Sequence, residues 1–419
     1  MQPSLILAAC ALATFWQSSE IGKGKSGRDF ALRLRDLAES ALQGSLNAGW
    51  IDETLAQAAW ILALFEICAH PLHSTQRSTS SMVMLDQIIQ TLSLTSIDSD
   101  DPSAAVFSPR RVPRICSEQK LTQKTSWTPV RRTEHCNCAV MSLGHQWPSA
   151  FEHTPLWLST PAWDENWSEG EIRKESCRRL SWSSVILAAG HSSYTTAYKA
   201  NGLDLFITDP ANYRLLFPGE ALVSSHHCKD SIWALNYRTM LLWLACVRMR
   251  HDFQATDSEK ADFGMTAWLE VDALEEALNN HNCGLERAFL FQGREYLFNT
   301  RMCVSYEFQR YIPLATVNVR GMFHRKKAEE WLTHQATVAK QVMHGLHTVT
   351  GLGGGGGLIQ RPFFVFWFMS QITRALSLWS CDKSLRVALD VSRALLAPID
   401  YLTALWPCPG KLRSRDVQA

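Results

Sequence analysis

Two short clusters carry the residue types that hold metal ions. His135-Cys136-Asn137-Cys138 and His226-His227-Cys228 each bring thiol and imidazole donors together over a few residues of chain. A structural zinc ion takes four such donors in a tetrahedron, and its sequence mark is a pair of ligands at C-x2–4-C spacing with a matching second pair. The C-x-C of Cys136 and Cys138 is too short for that mark, and the two clusters fall in different loops. The expectation is therefore no metal ligand in this chain. Phosphate chemistry is suggested by "GKGKSG", Gly22 to Gly27, which satisfies G-x-G-x-x-G and contains the G-K-S end of a phosphate loop. Both devices need a strand running into the glycine turn, so that helix-start N–H groups face a phosphate. Here the preceding segment has helical pattern, and Ser19 stands where a phosphate loop requires glycine. A turn between two helices is predicted instead. "GLGGGGGL", Gly351 to Leu358, has no Lys-Ser/Thr behind it and has the composition of a linker. Neither G-x-S-x-G nor H-E-x-x-H occurs, so no catalytic residue is assigned.

The remaining chemistry-bearing stretch is "EIRKESCRRLSWSSVILAAGHSS", Glu171 to Ser193, basic in its first half and apolar in its second. Ser168 and Glu171 have the S-x-x-E spacing of a capping box, which predicts a helix from Glu169 and explains the serine of the "NWS" sequon at 166–168. Arg173, Lys174, Arg178 and Arg179 occupy the first three turns. Ile172, Leu180, Ile186 and Leu187 are the expected apolar contacts, with Trp182 as a large buried anchor. Cations near a helix start oppose the macrodipole, so solvent, Glu171 and Glu175, or acidic loops must hold them. Arg178 and Arg179 lie too close to Trp182 to be freely solvated. They are predicted to pair with carboxylates or loop carbonyls, which a guanidinium fork does better than an ammonium. A nucleic-acid contact is disfavoured, because 41 Lys+Arg against 40 Asp+Glu leaves a formal charge of only +1. No DNA-binding residue is assigned.

These groups must be positioned by helices. The chain is 419 residues long, 46% hydrophobic and 19% charged, which suits a large buried core. "GRDFALRLRDLAESALQGSLNAGW" puts Phe30, Leu34, Leu37, Ala41 and Leu42 on one predicted stripe. "IDETLAQAAWILALFEICAH" begins at an Asp52 cap and is apolar nearly all round, and Met82, Leu85, Ile89 and Leu92 recur at helical spacing in the next segment. Helical pattern covers about 5–98 and 150–405. Between them, 99–149 is rich in Ser, Pro, Thr and Arg and is expected to be an irregular, partly disordered surface insertion; 350–361 is a glycine-rich linker. Cys10, Cys68, Cys177, Cys246 and Cys303 sit in apolar or helical contexts and are expected to be free and buried. "LILAACALATFW", Leu5 to Trp16, has the length of a signal-peptide apolar region but no basic residue ahead of it and is read as a helix. "PFFVFWFM", Pro362 to Met369, is far below the roughly 20 residues of a membrane span. The fold class is all-α: a large multi-helix domain with a long irregular insertion.

The basic helix also carries a resemblance. "RRLSW", with Arg178, Arg179, Leu180 and Trp182, resembles the arginine-arginine-aliphatic-x-tryptophan motif in the middle homology, or regulatory, region of fungal zinc-cluster transcription factors. "TPLWLSTPAWDENW", "YRLLFPGE", "LNAGWIDETLAQAAWILALFEICAHP" and "FQGREYLFNTRMCVSYEFQRY" are similar to the basidiomycete branch of that family. The likeness runs from about Leu5 to Leu405, apart from portions of 99–150 and the glycine run. It implies one helical regulatory domain over 1–419 of a nuclear RNA polymerase II transcription factor, with no catalytic chemistry. Members of the family read DNA through a six-cysteine binuclear zinc cluster of pattern C-x2-C-x6-C, usually N-terminal to this region. No two cysteines here have C-x2-C spacing, so none of those ligands transfers to a position of this sequence. The resemblance implies a nuclear location, contact with DNA only through an upstream zinc-cluster module, co-regulators or a second copy as partners, no membrane, and no cofactor in this chain. The alternative is a stand-alone helical sensor of a small molecule with no role at DNA.

Overall fold

The structure is a computed structural model that describes residues 1–115, 136–154, 157–196, 202–222, 229–288, 293–312, 325–349 and 362–408. The glycine run at 350–361, with the linker expected there, lies outside the described residues, as do His135 and His226 to Cys228. In chain order the helices are α1 (Pro3–Trp16), α2 (Gly24–Asn47), α3 (Glu53–Ile67), α4 (Thr75–Thr91), the single turns α5 (Leu143–Gln146) and α6 (Ala150–His153), α7 (Glu169–Thr196), α8 (Ile232–His251), α9 (Asp257–Asn279), α10 (Gly293–Cys303), α11 (Arg325–Val349), α12 (Phe364–Cys381) and α13 (Val387–Leu405). Strand is confined, among the described residues, to β1 (Ala105–Val106) paired antiparallel with β2 (Arg214–Leu215) and one isolated bridge. The protein is an all-α, multi-helix chain. No helix among the described residues is long and apolar enough to cross a membrane.

Backbone packing groups the chain into two compact units whose segments alternate along the sequence: Met1–Leu92, His191–Leu203 and Phe323–Ala419 in the first, Ser93–Gly190 and Asp204–Met322 in the second. In the first unit only Gly22 and Lys23 of the "GKGKSG" stretch lie in the turn between α1 and α2; Gly24 to Gly27 already form the first turn of α2. Its Gly27 stands where a Cβ would lie 2.5 Å from Lys23 Cβ and 2.9 Å from Ser18 Cβ, so only glycine lets the two helices close this tightly. The apolar N-terminal run is α1, which buries Ala8, Ala11, Leu12 and Phe15. Phe15 packs 4.9 Å from Phe65 of α3 and 5.1 Å from Trp406 just beyond α13, centroid to centroid. Asp52 caps α3 as expected, accepting from the N–H of Leu55 at 2.9 Å.

The stripe predicted for α2 is displaced. Phe30 and Leu37 are exposed, and the buried face is Ala31, Leu32, Arg35, Ala38 and Leu42. The reason is electrostatic. Arg35 is only 2% exposed, with its Nε 3.2 Å from Glu66 Oε1 on α3 and its Nη1 2.9 Å from Glu39 Oε2. Glu66 also reaches Arg77 Nε at 3.0 Å and His70 Nε2 at 3.4 Å. A buried arginine needs a buried partner, so the face that carries it turns inward and hydrophobicity alone mislocates the stripe.

The second unit is centred on α8, buried on nearly all sides from Ile232 to Met249 between α7, α9 and α10. The residues of 99–149 that the structure describes depart from a surface excursion. Phe107, Val112 and Cys138 belong to this unit's core. Arg110 donates twice to Asp252, at 2.9 and 3.1 Å; Arg111 reaches Asp262 at 3.1 Å and Arg114 Nε lies 3.2 Å from Glu270. The basic "SPRRVPR" stretch is thus matched against carboxylates at and around α9. Four of the five cysteines expected to be buried are so; Cys10 is exposed on the outer face of α1.

Glu66→Gln removes the charge that Arg35 faces while keeping shape. We expect the first unit to lose about 2–3 kcal/mol, below the 3–5 of a fully severed buried pair because Asp36, at 3.1 Å, and Glu39 remain beside Arg35. Chemical denaturation followed by circular dichroism measures it, and an unchanged midpoint would show that Asp36 and Glu39 suffice to hold Arg35.

Candidate functional site

Helix α7 begins at Glu169, and the capping box is formed: the N–H of Ser168 donates to Glu171 Oε2 at 2.8 Å and the N–H of Glu171 donates to Ser168 Oγ at 3.3 Å. From that start, Arg178 falls opposite Asp98, in the loop that follows α4. Nε and Nη2 of Arg178 donate to Oδ2 and Oδ1 of Asp98, both at 2.7 Å, a bidentate fork, and Nη1 donates to Glu175 Oε2 at 3.2 Å. Lys174 Nζ lies 2.9 Å from Asp98 Oδ1, and the backbone N–H of Leu216 donates to Asp98 Oδ2 at 3.0 Å. The Asp98 side chain is 0% exposed. Burial disfavours its charge, but the Arg178 fork, the Leu216 amide and Lys174 outweigh that and hold its carboxyl below the usual carboxylate range.

Arg179 points the other way. Its Nε donates to Glu175 Oε1 at 2.8 Å, its Nη2 donates to the carbonyl of Ala162 at 2.7 Å, and the guanidinium lies 4.0 Å from the ring centre of Trp163. One carboxylate, Glu175, therefore joins both arginines. One turn on, Trp182 is 0% exposed, stacked 4.6 Å from Phe217 and 5.2 Å from Tyr213, with Tyr237 also 5.2 Å away. Its indole N–H donates to the carbonyl of Leu216 at 2.9 Å. The backbone of Leu216 is held at both ends, its N–H by Asp98 and its carbonyl by Trp182. Leu180 is buried beside them. The structure thus brings together all four motif residues and gives Arg178 a carboxylate and Arg179 a loop carbonyl, as the sequence predicts. It overturns one contact: Ile172 is 45% exposed. Ile172 lies in the first turn, before the helix enters the core.

A second constellation lies elsewhere in the same unit. Cys136, Cys138, His281 and Cys283 place three Sγ atoms and a ring nitrogen within 4.8 Å of one another. Cys138 Sγ is 3.7 Å from His281 Nδ1, and His281 Nε2 is 2.8 Å from the backbone carbonyl of Asp230. That carbonyl can only accept, so Nε2 carries the proton and Nδ1 turns its lone pair toward the thiols. The N–H of Ile232 donates to Cys138 Sγ at 3.3 Å. Cys138 is buried; the other three are partly so. Burial pushes the Cys138 and Cys283 thiols upward. At Cys136 burial acts the same way but is outweighed by the backbone N–H of Asn282, the Cys283 thiol and further amides, which hold it below the usual thiol range.

The sequence separates these four ligands. "HCNC" and "HHC" at 226–228 make no zinc pattern in the sequence, whereas the fold brings Cys136 and Cys138 to His281 and Cys283. The H-x-C spacing of 281–283 mirrors the C-x-C of 136–138, and that symmetry was the available signal. Asp98 was missed because "DSDDPS" has the composition of a solvated acidic turn. No protein-family model matches the chain, and no curated protein and no solved structure matches it.

Two outcomes check the network. Trp182→Ala should lower the stability of the second unit by about 3–5 kcal/mol, the usual result of truncating a fully buried large aromatic; an unaltered thermal midpoint would place Trp182 outside the core. Asp98 also gives a pH signature. Its folded pKa lies below the unfolded value of 3.8, so its contribution is present above that value and is lost as pH falls through the folded pKa. The stability gap between the native protein and Asp98→Asn should be constant above about pH 5 and shrink in stronger acid. A gap independent of pH would mean that Asp98 titrates alike in the folded and unfolded states, so that the fork does not favour its charge.

Proposed function

We propose that the chain is the regulatory region of a fungal RNA polymerase II transcription factor of the zinc-cluster family, acting in the nucleus. In this proposal DNA is reached through a zinc-cluster module outside this sequence. One observation supports it above the rest. Three stretches that each resemble that family meet at one place. Arg178, Arg179 and Trp182 come from "RRLSW", Ala162 and Trp163 from "TPLWLSTPAWDENW", and Tyr213, Leu216 and Phe217 from "YRLLFPGE"; together they form the network described above. Residues 17 and 34 positions apart at their contacts have no local reason to share a family pattern. Joint burial around Asp98 supplies one, since each residue there constrains the others.

In this account the arginines hold the loop after α4 and the stretch before α7 against helix α7 and do not touch phosphate. Every Arg178 nitrogen is committed to a carboxylate, at 8% side-chain exposure. Regulation would then come from the packed domain, and damage to the network should be felt as loss of control.

The test is to fuse the chain in frame to a DNA-binding module and an activation segment of known strength, upstream of a reporter gene. We expect the fused chain to change transcription severalfold relative to module and segment alone. Arg178→Lys, at equal protein level, should return output toward that baseline. A reporter indifferent to the folded chain would contradict the proposal. So would loss of DNA binding, with stability intact, for Arg178→Lys and Arg179→Lys, which would make both arginines phosphate contacts.

A further inference from the structure

The cluster of Cys136, Cys138, His281 and Cys283 has a geometry that packing alone does not require. Zinc with Zn–S bonds of about 2.3 Å and a Zn–N bond of about 2.0–2.1 Å places tetrahedral ligand atoms about 3.5–3.8 Å apart. The observed Cys138 Sγ to His281 Nδ1 separation is 3.7 Å, and all four donor atoms fall within 4.8 Å of one another. The donors come from two loops on either side of α8 and α9 in sequence, and each loop supplies two ligands with one residue between them. His281 is oriented as a metal-binding histidine is: one ring nitrogen is fixed by a backbone carbonyl, at Asp230, which leaves the other free to ligate. The Ile232 N–H directed at Cys138 Sγ is the kind of donor that stabilises a bound thiolate.

We propose that Cys136, Cys138, His281 and Cys283 bind one structural zinc ion. It clips the loop after 135 to the loop leaving α9. The set is complete with four protein ligands, so the site is closed and without an open position for substrate, as structural zinc sites are. Three thiols and an imidazole suit zinc better than calcium or magnesium, which take oxygen. Binding requires the thiols to give up their protons, so loading releases protons and weakens in acid. A disulfide explains the cluster less well. It would join two of three sulfurs, strand the third, and give no role to the His281 lone pair. At present the Cys136 Sγ–H also has Asn282 Oδ1 as a partner at 3.7 Å, a weak contact that a thiolate relinquishes on binding metal. The inference concerns a single ion held by residues of this chain. It is independent of the regulatory proposal and stands or falls apart from it.

The experiment is metal analysis of the purified full-length chain, prepared with reductant and zinc and freed of loosely held ions. About one equivalent of zinc per chain is expected, released to a colorimetric chelator only after mercurial modification of thiols. Replacement by cobalt(II) should give a thiolate-to-metal charge-transfer band and the intense d–d bands of a tetrahedral site. Cys138→Ser with Cys283→Ser should abolish the cobalt spectrum, and Cys246→Ser, a buried thiol outside the cluster, should keep it. If the double variant fails to fold, the native protein still decides: stripping zinc with a chelator should lower its thermal midpoint, and zinc, not magnesium, should restore it. Less than a tenth of an equivalent of zinc in folded protein would overturn the proposal. So would a disulfide among Cys136, Cys138 and Cys283 in the reduced preparation, or a tetrahedral cobalt spectrum that survives in the double variant.

Discussion

A single buried carboxylate constrains the second unit. Asp98 is removed from water yet ionised, and a charge in that position is tolerated only if every lone pair is met. The fold meets them with the Arg178 fork, Lys174 and the Leu216 amide. Two of those partners, Arg178 and Leu216, are themselves fixed from the far side. Arg178 is held by Glu175, which also takes Arg179; Arg179 is held by Ala162 and Trp163; Leu216 is held by Trp182. The loop after α4, the stretch before α7, the β2 region and the first half of α7 are thus tied through one acid. The first unit repeats the principle around Glu66, which gathers Arg35, His70 and Arg77.

This explains the mixed character of α7. A helix that starts wet and ends in a core must pass its basic residues through the boundary. Arg178 and Arg179 cross it paired, and Trp182, next in line, takes up the stacked position among Tyr213, Phe217 and Tyr237. Guanidinium serves here where ammonium would not, because three nitrogens of Arg178 are used at fixed angles.

Helix existence was legible in the sequence wherever period and caps agreed. Asp52 and the Ser168–Glu171 box placed the starts of α3 and α7 correctly, and burial of Trp182 followed from its position after the basic turn. What escaped were features fixed by pairing across long sequence distances. The buried face of α2 follows Arg35 and its Glu66 partner, which a hydrophobic stripe cannot register. Asp98, and the apolar residues Phe107 and Val112, lie in a segment whose composition is that of a loop, yet all three are buried. Cys136 and Cys138 met their partners 143 and more residues away, with nothing local to announce it. Composition reports solvent preference residue by residue; it is blind to a charge that becomes acceptable inside once a distant partner arrives.

The most direct test of the central claim is a double-mutant cycle between Asp98→Ala and Arg178→Ala, followed by chemical denaturation at neutral pH. If the pair organises the second unit, each single variant strands a buried charge and the second change removes part of that penalty. The predicted coupling is about 2 kcal/mol or more, with the double variant less damaged than the sum of the singles. Additivity to within about 0.5 kcal/mol would contradict the account, since residues that do not depend on one another behave in that way.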